Sequence, residues 1–197
     1  LVLTTVSCET DFDTDVNDIQ VTKGEADFTK YIALGNSLTS GYRDNALYAD
    51  GQSESFPLII ATQMKRAGGG DFNQPMMPNN VGGFTNLFNP TTGDFAGKYT
   101  LTVGCNNALA PAPSAPAGQL DLINGSGPYQ NLGVPGAKSF HLGANGYGNP
   151  QGLALGQANP YFVRFASNPS TSVIADAVSQ SPTFFSLWIG NNDVLSY

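Results

Sequence analysis

Residues 31–42 read YIALGNSLTSGY, and the fold turns on how this stretch is read. A short apolar run ends at Gly35, and a small polar segment, Asn36-Ser37-Leu38-Thr39, follows before Gly41. Such a pattern suits a strand, expected over Thr29–Gly35, that delivers a hydroxyl into a turn. With glycines on both sides of it, Ser37 reads as a hydroxyl with room for a substrate carbonyl to approach. The plainer alternative makes Ser37 a helix N-cap after a strand, assisted by Thr39.

Two more stretches share this character. NLGVPGA (131–137) and IGNND (189–193) each join small polar residues to the end of an extended segment. The last follows TFFSLWI (183–189), an apolar run bounded by Pro182 and Gly190 that suits a strand buried on both faces of a parallel sheet. Between the strands, residues 53–66 read as a helix, with Ser53 or Ser55 as cap, Pro57 in the first turn and Lys65-Arg66 at the end. Leu155–Ala166 and Ser172–Ser179 also carry helical character, interrupted at Asn168-Pro169. Residues from about 71 to 130 are rich in Gly, Pro and Asn and too long for a plain connection. They are expected to form an ordered insertion roofing a cleft, with a short strand at Thr100–Gly104. Within it, Phe84, Phe88, Phe95 and Tyr99 read as core or lid packing, or as the lining of an acyl or sugar pocket. The order strand–helix–insertion–helix–strand gives an α/β class. If the first strand lies between the other two, the three polar loops meet in the crevice at the strands' carboxyl ends.

Composition narrows the function. The 197 residues carry a net charge of −7, with charged residues at only 12%, which disfavours a nucleic-acid partner. Hydrophobic residues at 41% suffice for a globular core, and no apolar run is long enough for a membrane-spanning helix. No His/Cys/Asp/Glu grouping has metal-ligand spacing, so neither metal nor cofactor is expected. GVPGAKS resembles a phosphate loop only superficially, because Ala137 separates the glycine from Lys138.

Taken in order, the three loops resemble blocks I, II and III of the SGNH (GDSL-like) hydrolase family, over about Tyr31–Tyr197. GNSLT and the following ALYADGQSESFP (46–57) are most similar to its Bacteroidetes lipoprotein branch. The resemblance implies a flavodoxin-like three-layer fold and a serine esterase or acylhydrolase acting on lipid or acylated-glycan esters. It makes Ser37 the nucleophile, with Gly136, or less well Gly133, giving a backbone N–H to the oxyanion and Asn192 giving its side-chain amide. The Ser37 N–H would be the third donor. Each such donor is worth roughly 3 kcal/mol of barrier. Asn36 stands where the family has aspartate, a residue that braces the loop. The family's Asp-x-x-His pair occurs nowhere in the sequence, whose one histidine, His141, reads as a packing or hydrogen-bonding residue of the cleft wall. The pair is expected beyond Tyr197, the chain being read as the N-terminal part of a longer domain that is incomplete at its C-terminus.

LVLTTVSCETDFDTD (1–15) resembles the tail of a bacterial lipoprotein signal peptide, with Cys8 the lipidated residue. Residues 1–28 then comprise a signal remnant and an acidic tether, and the protein is expected at the cell envelope, held at the outer membrane through Cys8. Cys105 would be left as a buried small hydrophobe; alternatively the two cysteines are bridged.

Overall fold

The computed structural model describes residues 20–195 apart from residue 106. Cys8 and the acidic segment up to residue 19 lie outside the described residues. In chain order the elements are β1 (Tyr31–Gly35), α1 (Ser37–Ser40), α2 (Ala49–Ser53), α3 (Phe56–Lys65), β2 (Tyr99–Val103), β3 (Leu109–Pro113) and β4 (Asn131–Gly133). There follow α4 (Pro160–Phe165), α5 (Val173–Ser179), β5 (Phe184–Trp188) and α6 (Asn191–Leu195), with short 3₁₀ turns between.

The architecture is mixed α/β. A parallel sheet of three strands has the order β4-β1-β5, and β2 and β3 form a separate antiparallel hairpin. Gly35 at the end of β1 is level with Gly133 of β4 and Trp188 of β5, so all three strands end at the same height. Helices cover both faces, because the strands alternate apolar side chains to either side. Tyr31 and Ala33 pack with Ala61 and Met64 of α3 on one face. Ile32, Leu132 and Val134 pack with Phe162, Phe165, Val173 and Ala177 of α4 and α5 on the other.

Helix boundaries follow local capping rather than the longer helical patterns. The 53–66 pattern divides into α2 and α3, since the extended Ser55 and Pro57 restart the helix. The 155–166 pattern likewise yields a 3₁₀ turn at Pro150–Leu155 and then α4. There Asn159 takes the N–H groups of Tyr161 (2.9 Å) and Phe162 (3.4 Å) on its side-chain oxygen, and Pro160 opens the first turn.

Two glycines expected to leave space over Ser37 instead admit the chain itself. A Cβ on Gly35 would lie 2.1 Å from Thr39 Oγ1 and 2.4 Å from the Trp188 carbonyl oxygen. Gly41, at φ +84°, closes α1, and a Cβ there would lie 2.6 Å from the Gly51 carbonyl oxygen. Both let α1 pack tightly on the sheet end and on α2.

The 71–130 segment has a core of its own, in which Met77 and Phe84 pack with Leu47 and with Tyr161 of α4. Phe84 is fully buried, whereas Phe88 and Tyr99 are exposed. Cys105 is exposed rather than buried, because it sits in the turn of the β2–β3 hairpin, whose strands stand out in solvent.

β5 corrects the expectation of a strand buried on both faces, while its place as an apolar edge is the one expected of a sheet without the domain's last strands. It pairs with β1 on one side only, and Phe185 is 61% and Leu187 53% exposed. No described strand covers its outer edge, so the apolar run that suits a fully buried strand stands at the margin of the sheet. An apolar edge of this kind pairs with other chains. The 197-residue chain is therefore expected to self-associate, and the double substitution Phe185→Lys, Leu187→Lys to raise its monomer fraction in sedimentation velocity. A monodisperse monomer before substitution would contradict this.

Candidate active site

With β1 central, the loops after β1, β4 and β5 emerge side by side, at the point where the sheet's connections diverge to left and right. Hydrogen bonds then lock them together. Asn36 is fully buried and serves as the N-cap of α1: its side-chain oxygen accepts the Leu38 N–H at 3.2 Å, and its amide donates to Asn191 Oδ1 at 2.8 Å. Asn192 Nδ2 donates to the Ala137 carbonyl at 2.8 Å. Ser139 donates both its backbone N–H (2.9 Å) and its hydroxyl (2.6 Å) to Asp193. Those bonds from Ser139 hold the exposed Asp193 carboxyl below its usual range. The first and second loops thus both bond to the third.

Because Asn36 is the cap, Ser37 is not. The Ser37 hydroxyl makes no hydrogen bond among the described residues, and neither does its backbone N–H. The two glycine candidates separate as clearly. Gly133 already donates its N–H to Asn131 Oδ1 at 3.0 Å, while the Gly136 N–H, at φ +80°, has no acceptor among the described residues. The loop carrying Gly136 is held by Asn159, whose amide donates to the Pro135 carbonyl at 2.8 Å.

Ser37 and Gly136 line one open cavity of about 420 Å³, together with Tyr42, Asp94, Phe95 and Tyr161 among others. Asn192 does not line that cavity. It is anchored at the residue after Gly136, with one amide hydrogen used on Ala137 and the other left over. His141 also lies outside the cavity lining. Its ring stacks on Tyr147 at 4.5 Å, and its Nδ1 accepts the Lys138 N–H at 3.0 Å. Burial, then the Lys138 charge, lowers its pKa, which favours the neutral ring that this bond requires. His141 is thus a packing and hydrogen-bonding residue, but not one of the cleft wall. No general base touches Ser37 among the described residues.

Sequence reasoning missed the polar network beneath the site. Asn131 is buried and donates to the Thr39 carbonyl (2.9 Å) and to Gln74 Oε1 (2.7 Å), while Gln74 donates to the Gln52 carbonyl (3.0 Å). These residues seat α1 on β4 and on the start of the insertion. An isolated Asn or Gln in a sequence carries no mark of burial, so only the contacts reveal the role.

Asn36 offers a direct test of loop bracing. Asn36→Ala leaves Asn191 and the Leu38 N–H unpaired and is expected to destabilise the fold by about 1–3 kcal/mol. Asn36→Asp keeps the cap, and Asn191 can turn its amide to donate, so the loss in urea denaturation should be clearly smaller. Equal losses would show that the brace does not depend on this pair.

Among the comparisons with known proteins, no family model, no curated protein and no solved structure matches the chain.

Proposed function

We propose that the protein is a serine ester hydrolase of the SGNH type, with the three-layer flavodoxin-like fold of that family, acting on lipid or acylated-glycan esters. The observation that carries the reading is the strand order β4-β1-β5, which brings an unbonded Ser37 hydroxyl and the unbonded Gly136 N–H to one cavity. In the reaction, Ser37 Oγ attacks the ester carbonyl as its proton passes to a base. Charge on the carbonyl oxygen is met by the N–H groups of Ser37 and Gly136 and by the remaining Asn192 amide hydrogen. The alcohol leaves with the proton, and water then releases the acid from the acyl-enzyme. The base that the resemblance implies is the histidine of an Asp-x-x-His pair. Lipidation at Cys8 would hold the enzyme at the bacterial outer membrane, where its partners are ester substrates rather than nucleic acid.

A second reading, a noncatalytic envelope lipoprotein that binds glycan or lipid in the same cleft, is favoured by one observation. Ser37 has no base beside it among the described residues. The full-length protein decides between them. Treated with an alkyl fluorophosphonate, it should gain one phosphonyl adduct, mapped to the peptide containing Ser37. Absence of the adduct, together with absence of an Asp-x-x-His sequence downstream, would leave the binding reading.

A further inference from the structure

The lining of the cavity that holds Ser37 includes residues from two distant parts of the chain, the insertion at Asp94-Phe95 and α4 at Tyr161. Tyr161 is only 7% exposed, yet its hydroxyl makes no hydrogen bond among the described residues. A phenol so far buried ordinarily finds a partner. Asp94 is exposed; the Thr92 hydroxyl donates to its Oδ2 at 2.5 Å, and its Oδ1 has no donor. Phe95 and Tyr42 add ring surface, packed against Tyr161 at 6.3 and 6.4 Å between centroids.

We propose that this wall is a sugar subsite and that Asp94 and Tyr161 select esters whose alcohol or acyl part is a hydroxyl-bearing ring. The proposal rests on the hydrolase reading for the identity of the bond cleaved, but not for the binding. An alkyl chain in this cavity would strip water from Asp94 Oδ1 and from the Tyr161 hydroxyl and offer them nothing. An anionic group would face the Asp94 carboxylate with no cation among the lining residues. A quaternary ammonium would satisfy Asp94 but gives the Tyr161 proton no acceptor. A sugar hydroxyl donates to Asp94 and accepts from Tyr161, and the C–H face of its ring lies against Phe95 or Tyr42. The volume of about 420 Å³ is in the range of small-molecule sites.

The test uses ligand-observed NMR on the full-length protein, with methyl 6-O-acetyl-glucopyranoside, acetylcholine and methyl hexanoate as probes. The acetylated glycoside should bind saturably and more tightly than the other two. Asp94→Ala should weaken it about tenfold, and Tyr161→Phe, which keeps the ring, about fivefold. No saturable glycoside binding, tighter binding of acetylcholine or methyl hexanoate, or affinity unmoved by both substitutions would each overturn the subsite. Failure of the hydrolase reading is separable. Glycoside binding that responds to both substitutions, in a protein that takes no phosphonate at Ser37, leaves the subsite standing without the chemistry. Phosphonate at Ser37 without glycoside binding does the reverse.

Discussion

Replacing Ser37 by alanine should abolish hydrolysis of p-nitrophenyl acetate by the full-length protein, a fall of at least about 10³-fold, while the unfolding transition stays where it was. Both halves follow from the same observation. The Ser37 hydroxyl carries no hydrogen bond that the fold uses, because Asn36 caps α1 and Ser40 Oγ donates to the Ser37 carbonyl (2.8 Å), not to its hydroxyl. Removing that hydroxyl therefore costs the structure little and, on the proposed mechanism, costs the reaction its nucleophile. Asn192→Ala is a graded companion. On the proposed mechanism it deletes one oxyanion donor, worth about 10²–10³-fold in kcat; it also deletes the bond to Ala137, so its unfolding midpoint should drop as well. Turnover that survives Ser37→Ala would remove Ser37 from the mechanism. An unfolding midpoint that shifts with Ser37→Ala would show that the hydroxyl supports the fold after all.

The largest effect on stability is expected at Asp121. The Arg164 side chain is 1% exposed, and its Nε donates to Asp121 Oδ1 at 2.7 Å. Its other nitrogens donate to the carbonyls of Pro75 (3.3 Å) and Met76 (2.9 Å), so one guanidinium ties α4 to both the beginning and the later part of the insertion. Asp121→Ala leaves that charge buried with only neutral acceptors. The expected loss is about 3 kcal/mol, toward the low end for a broken buried pair because Asp121 itself is 40% exposed. Arg164→Met should cost less, about 2 kcal/mol, since the thioether chain fills part of the space, Asp121 can rehydrate, and Gln52 still donates to the Pro75 carbonyl (3.0 Å), leaving only the Met76 carbonyl without a donor. Urea denaturation of both variants gives the order. If Arg164→Met proves the more damaging, the cost lies in packing rather than in the stranded charge.

These two predictions differ in how far the sequence reveals them. Ser37 is legible as a candidate because a nucleophile on a turn would leave a local pattern, a strand followed by Gly-Asn-Ser. Gly136 and Asn192 are legible only as members of two similar patterns. The preference for Gly136 over Gly133 is already present in the sequence reading, and one contact agrees with it, the Asn131 side chain occupying the Gly133 N–H. Arg164 and Asp121 are 43 residues apart and unremarkable in context, and their pairing is a product of how the insertion folds back over α4.

From the sequence alone came the α/β class, the approximate places of β1, β2 and β5, and the three polar loops that follow extended segments, because these depend on hydrophobic period and on turn residues that act over a few positions; β3, in a Pro- and Ala-rich stretch, was not legible. Tertiary structure decided the rest. It set β1 between its two neighbours, gave the capping role to Asn36 rather than Ser37, and filled the space above Gly35 and Gly41 with chain. Each of these depends on which distant groups meet. Local propensity carries no information about that, because a hydrogen bond or a buried contact forms only once the backbone has already brought its partners together.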